Sequence, residues 1–300
     1  MTELTRSKKF LFTDLFYIAG MCIPLLAGIV LKVLTEPPVE GITITGARIF
    51  YTIPLPLQPL YITEAQINSW LVIASLFFFC LYMTHGLTEE CTTRRQHFAE
   101  WAIETVDHLV VENMGPFFSG YSAFIIAILA LSAFSSLLSL FGLFPPTSDI
   151  NIVAGWAILV FILITHYKLK GGLLNYLKGF TEPIFVMAPL NVLGEIATPV
   201  SMAFRHYGNV LSGSVISVLI AAALTACSNL VLGWLPGFLG EIPFLRIGLP
   251  AVLSVYFDVF SGCMQAYIFA MLTMLNVSGA FPWEAYEKRK HKKENKKQTI

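Results

Sequence analysis

The chain has 300 residues, of which 56% are hydrophobic and only 13% charged, and its formal net charge is zero. Its mean hydropathy is +0.70, whereas a soluble domain carries roughly a quarter charged residues. An ordinary soluble domain is therefore excluded, and the balanced charge gives no sign of a nucleic-acid partner.

A bilayer core of about 30 Å takes about 20 mostly apolar residues per helix. Six runs meet that length: 10–32, 67–86, 118–143, 150–167, 190–230 and 249–280. The expected fold is an all-α polytopic membrane protein. The first run follows Arg6, Lys8 and Lys9. A basic front and an apolar middle also suit a signal peptide, but the run is long for one and no A-x-A-type site clearly follows, which favours an uncleaved anchor. Next, "EPPVEGITITGARIFYTIPLPLQP" is rich in proline and β-branched residues and reads as extended or turn structure.

After the second run, "ECTTRRQHFAEWAIETVDHLVVENMG" places Phe98, Trp101, Ala102, Val106 and Leu109 on one helical face, with Glu100, Glu104 and Asp107 opposite. Such a helix either lies in the membrane interface or packs on other protein. The fifth run would be about 60 Å long if wholly helical, twice the hydrocarbon thickness, so it must tilt, break or project. Pro189 and Pro199 favour a break or a late start near its front.

Short cytoplasmic loops are enriched in Lys and Arg. Here Arg94 and Arg95 follow the second run, Lys168, Lys170 and Lys178 the fourth, and "EKRKHKKENKK" the sixth. The alternate connections are poor in positive charge: Lys32 and Arg48 are spread over a long loop, "FPPTSD" has none, and 231–248 has only Arg246. Both termini are expected on the cytoplasmic side. Five cysteines, Cys22, Cys80, Cys91, Cys227 and Cys263, give neither a disulfide framework nor a zinc spacing.

Within the fifth run stands Arg205. An arginine near a helix centre costs about 2.5–3.5 kcal/mol on insertion scales, so such residues usually face protein or water and often mark an ion path. Arg205 is expected to face inward. Asn209 lies one turn on; Gly208, Ser212 and Gly213 continue a small or polar strip, which Thr198, Ser201 and Met202 extend backwards. In the sixth run Asp258, Gly262 and Gln265 fall at spacings of four and three, on one face of a helix, with Ser254 and Ser261 beside it. Two polar seams of this kind fit either structural hydrogen bonding between helices or ion transfer.

The stretch "PVSMAFRHYGN" and the later "QAYIFAMLT" resemble the P-[VILM]-S-x-x-x-R-x-x-G-N core and the Q-A-[YF]-[IV]-F-x-x-L-T helix of subunit a of the F-type ATP synthases. "ITEAQINSWLVIASLFFFCLYMT" and "FGLFPPTSDINI" resemble that family's first shared span and its proline turn with a D-x-N start to the next helix. The resemblance covers about residues 60–281. It implies a membrane core at 67–281 with two long tilted helices at its end; the helix and loop at 10–66 are extra to that core, and the charge distribution adds a cytoplasmic N-terminus at 1–9 and a basic cytoplasmic tail at 282–300.

The same resemblance implies a non-catalytic stator in a bacterial inner membrane. Its partners would be membrane lipid, a rotating ring of c subunits that each carry a mid-membrane carboxylate, a b-type peripheral stalk and, through these, the soluble catalytic head. No cofactor is implied. Arg205 matches the family's essential arginine, a fixed cation between two ion half-channels. Asn209 and Gln265 match its polar partners. Glu195 matches an acidic residue that lines the cytoplasmic half-channel, with a helix-start or headgroup-facing acid as the lesser alternative. Asp149 and Asn151 match the D-x-N at the outer side.

Two departures stand out: many relatives have Glu or His where this chain has Ser214, and His or Glu where it has Asp258. A serine does not titrate usefully, so an outer half-channel would rely on Asp258 and water. The transported cation is a proton or sodium. Among rival classes, a secondary transporter would show paired repeats, a b-type haem protein facing histidine pairs where His166 and His206 are single, and an ATP-binding enzyme a phosphate loop. None of these is found in the sequence.

Overall fold

The computed structural model describes residues 2–35, 46–54, 56, 59–88, 93–181, 185–232, 252–253, 255–284 and 286. Cys91, Arg246 with most of its loop, Ser254 and most of the basic tail lie outside the described residues. Among the described residues, six helices are long and apolar enough to cross a membrane: Phe12–Thr35, Glu64–Thr84, Pro116–Phe141, Ile150–Leu169, Ala188–Leu230 and Val255–Gly279. The fold is that of an all-α polytopic membrane protein.

Helix α1 (Thr2–Thr35) is followed by a two-stranded antiparallel hairpin, β1 (Ile49–Ile53) and β2 (Leu60–Thr63), in which Ile53 faces Leu60. This is the proline-rich connection expected to be extended. Then come α2 (Glu64–Thr84), α3 (Arg94–Met114), a 3-10 turn at Pro116–Tyr121 that runs into α4 (Ser122–Leu137), and α5 (Ile150–Leu169). Helices α6 (Leu173–Thr181) and α7 (Ala188–Leu232) precede a π-helical stretch, Val255–Ser261, which leads into α8 (Gly262–Gly279).

Short polar side chains set several helix starts by accepting an otherwise unpaired first-turn N–H. Thr63 caps α2 through Gln66 N, Thr93 caps α3 through Gln96 N, and Asp149 caps α5 through Asn151 N at 2.9 Å. The main core joins α3, α4, α5, α7 and α8 through Val110, Ile125, Val160, Met202, Phe269 and Met274. Gly262 brings α8 close to α4: a Cβ there would stand 2.8 Å from Ser136 Cβ. Helix α1 packs on α2, with Ser75 Oγ donating to the Met21 carbonyl at 2.9 Å. Its Asp14 takes Arg95 Nη1 at 3.1 Å near the α2–α3 connection.

Three expectations change. Helix α7 is unbroken over 45 residues. Pro189 sits in its first turn, where its missing N–H is no loss, and Pro199 is carried inside the helix, where it has no N–H to offer the Glu195 carbonyl. Helix α3 buries Val110 and Met114 against the core while Phe98 and Trp101 remain 50% and 61% exposed, so it is packed on protein along its second half and open along its first. The last span begins as π-helix, whose turn is wider than the 3.6-residue period by which Asp258 was read onto the face of Gly262 and Gln265.

Candidate functional site

Helix α7 turns about 100° per residue, and its burial follows that angle. Met202, Ala203 and His206 are buried, and Gly213 packs against Phe257, where a Cβ would stand 3.3 Å from the ring. His206 is fully buried, 3.4 Å from Ser132 Oγ and edge-on to Trp156 and Phe269. It lies beside the arginine in sequence but a quarter turn and more away from it in space.

Arg205 consequently faces outward. It is exposed, as are Ser201, Phe204 and Ser212 on the same side, and a Cβ at Gly208 would meet nothing within 4 Å. Among the described residues Arg205 has neither a hydrogen bond nor an ion pair. The expectation that it faces inward is overturned for this chain alone, because the apolar and small residues that α5 and α8 cover occupy the other side of α7. An unpaired guanidinium within an apolar span is costly in lipid.

The seam beside it forms, though not around the guanidinium. Asn209 Nδ2 donates to Gln265 Oε1 at 2.6 Å, and Gln265 is 2% exposed. The two amides tie α7 to α8 at the edge of the arginine face. Asp258 is half-buried in the π-helical stretch and engaged there. Ser214 is exposed and donates to the Leu211 carbonyl of its own helix at 2.8 Å.

Asp149 is occupied as a cap: Oδ1 accepts from Asn151 N and, at 3.0 Å, from Asn151 Nδ2, and Oδ2 accepts from Thr63 Oγ1 at 3.4 Å. The D-x-N pattern therefore has a local structural use in starting α5.

Glu195 occupies a different setting. Its side chain is 8% exposed and its Oε1 accepts from Lys168 Nζ at 2.8 Å and from the Tyr176 hydroxyl at 3.3 Å. Burial raises the Tyr176 pKa, and the adjacent Glu195 charge and hydrogen bond add to this, so the phenol stays a donor. These groups line a cavity of about 400 Å³ together with Asn191, Thr198 and Pro282. A second cavity of about 240 Å³, reaching Ile164, Leu275 and Asn276, shares Lys168, Glu195 and Thr198 with it. Lys168 and Tyr176 escaped the sequence reading. The lysine registered only as part of a topology signal, and no spacing motif links it to an acid 27 positions on.

An outward cation on a long apolar helix, an amide seam and a polar cavity at the basic end are set in a polytopic membrane protein of six candidate spans among the described residues. Residues 66–278 match the family model for the ATP synthase A chain, and the chain belongs to that family. It is 32% identical over 236 residues to ATP synthase subunit a of Geotalea uraniireducens, with 75% of this chain and 92% of the relative covered. It is 29% identical over 233 residues to ATP synthase subunit a 1 of Pelobacter propionicus, with the same coverage. It is 27% identical over 278 residues to the sodium ion specific ATP synthase subunit a of Propionigenium modestum, with 82% and 87% covered.

Proposed function

We propose that this chain is the stator subunit a of a bacterial ATP synthase membrane sector, which carries ions past a rotating c ring and couples their flow to ATP synthesis elsewhere in the complex. The observation that carries the reading is the exposed Arg205, without a partner among the described residues, on a strip of small and polar residues in an apolar span. A c-subunit carboxylate arriving within about 4–6 Å of that guanidinium is held ionised, so it releases its ion there. Arginine keeps its charge at any physiological pH, so it relays no proton and blocks a direct leak between the half-channels.

On this reading Asn209 and Gln265 fix the edge of the ring-facing surface, and Glu195 and its cavity form the cytoplasmic half-channel. Asp258, Ser214 and Asp149 serve the outer one. Both termini lie in the cytoplasm, following the positive-inside distribution of Arg94, Arg95, Lys168, Lys170 and Lys178. The subunit is non-catalytic. Its partners are the c ring, the b-type stalk and, through them, the catalytic head.

The test is ATP synthesis in vesicles reconstituted with the full complex, driven separately by proton and by sodium gradients. Arg205→Ala is expected to assemble and to abolish synthesis, and the effective gradient names the ion. Assembled mutant complexes that synthesise ATP at the wild-type rate would refute the reading.

A further inference from the structure

The cavity at the basic end contains its own cation. Among the described residues that line it, Lys168 and Glu195 carry the charge. Both hydrogen bonds to the carboxylate fall on Oε1, and none of the described residues bonds Oε2. The three groups come from three elements: Lys168 from the end of α5, Tyr176 from α6 and Glu195 from α7. Asn191 Nδ2, donating to the Phe180 carbonyl at 2.9 Å, pins α6 to α7 beside them.

Glu195 also stands where the two cavities meet, so an ion that moves from the outer cavity to the inner one passes its carboxylate. The inner cavity ends at Asn276, whose Nδ2 lies 3.5 Å from Met202 Sδ, one helical turn before His206.

We infer that Lys168 is a tethered counter-cation that controls cation access along this path: its ammonium occupies the Glu195 carboxylate, and an incoming cation loads only when that contact opens. The inference rests on the reading of this cavity as the cytoplasmic half-channel. A buried carboxylate without a partner would be strongly disfavoured, so the lysine keeps the vestibule neutral at rest. The Tyr176 hydroxyl holds Oε1 in place while the ammonium moves away. Lysine suits this task better than arginine, being a compact charge on a flexible stem rather than a rigid fork.

The experiment uses the assembled complex in inverted membrane vesicles, with the native cysteines replaced by alanine and Thr198→Cys as reporter. Rates of reaction with a cationic and an anionic methanethiosulfonate are compared, each normalised to a free thiol. Lys168→Gln is expected to raise the cation-to-anion ratio on the order of tenfold, the effect of removing one charge at such a range in a partly polar site. Lys168→Arg brings the ratio back towards wild type.

With Glu195→Gln already present, Lys168→Gln loses most of its effect, because the ammonium then has no carboxylate to occupy. Two results overturn the inference: both rates shifting together, which marks a merely structural pair, or the full Lys168 effect persisting beside Glu195→Gln, which marks an independent charge. A Thr198→Cys that reacts with neither reagent overturns the half-channel assignment itself, and this inference with it.

Discussion

Two charged residues ten positions apart on α7 receive opposite treatment. Glu195 is buried and held by two donors from two other elements of the same chain. Arg205 is exposed and has no partner among the described residues. A chain that satisfies one charge and leaves its neighbour open two or three turns away has divided the helix into a self-contained region and an incomplete one.

The largest predicted effect breaks the comparison at its open end. Arg205→Ala removes the cation without removing a hydrogen bond or ion pair among the described residues, so the isolated subunit is expected to keep its stability while coupled synthesis is lost. Thermal unfolding of the subunit in detergent and synthesis in vesicles measure the two halves. A fall in both would make Arg205 a structural residue.

Next in size is the seam between α7 and α8. Gln265→Leu leaves the Asn209 amide without its 2.6 Å acceptor. A polar group orphaned in this way costs about 1–3 kcal/mol, and both thermal stability and the coupled rate should fall. Asn209→Leu combined with Gln265→Leu, which removes both polar partners, should recover part of the stability and none of the rate. Gly262→Ala acts on the same region from behind: a methyl 2.8 Å from Ser136 Cβ forces α4 and α8 apart, with an overpacking loss of about 1–3 kcal/mol.

Much of this was legible in the sequence. Six apolar runs of adequate length became six helices, and Asn209 and Gln265 were placed on two polar strips, although as partners of Arg205 and not of each other. The direction of Arg205 was not legible, because the rule that intramembrane charges face inward treats the chain as complete. Lys168 was hidden for another reason: basic residues after a span carry a topology signal whatever else they do, and the fold alone brings this one to Glu195. Pro199 suggested a break that the neighbouring turns of α7 absorb. The π-helical stretch at Val255–Ser261 leaves no mark on a pattern read with an α-helical period.

A smaller effect separates capping from conduction at Asp149. Asp149→Asn retains an oxygen for the Asn151 N–H and should leave the unfolding temperature nearly unchanged, whereas Asp149→Ala loses the cap, worth about 1 kcal/mol. If the carboxylate also serves the outer half-channel, both variants lower the coupled rate. A wild-type rate in Asp149→Asn would confine the residue to its helix-starting role.

The smallest effect is expected at Ser214. It lies nine residues after Arg205, and at about 100° per residue that places it half a turn away, off the face the arginine shares with Ser201 and Ser212. Its hydroxyl is spent on the Leu211 carbonyl of its own helix. Ser214→Ala should therefore change stability by no more than about 0.5 kcal/mol and slow coupled synthesis only slightly, while Asp258→Asn slows it strongly. A large loss in Ser214→Ala with normal assembly would mean that the outer path runs along the side of α7 opposite Arg205, and the division of that helix into a closed face and an open one would have to be redrawn around the serine.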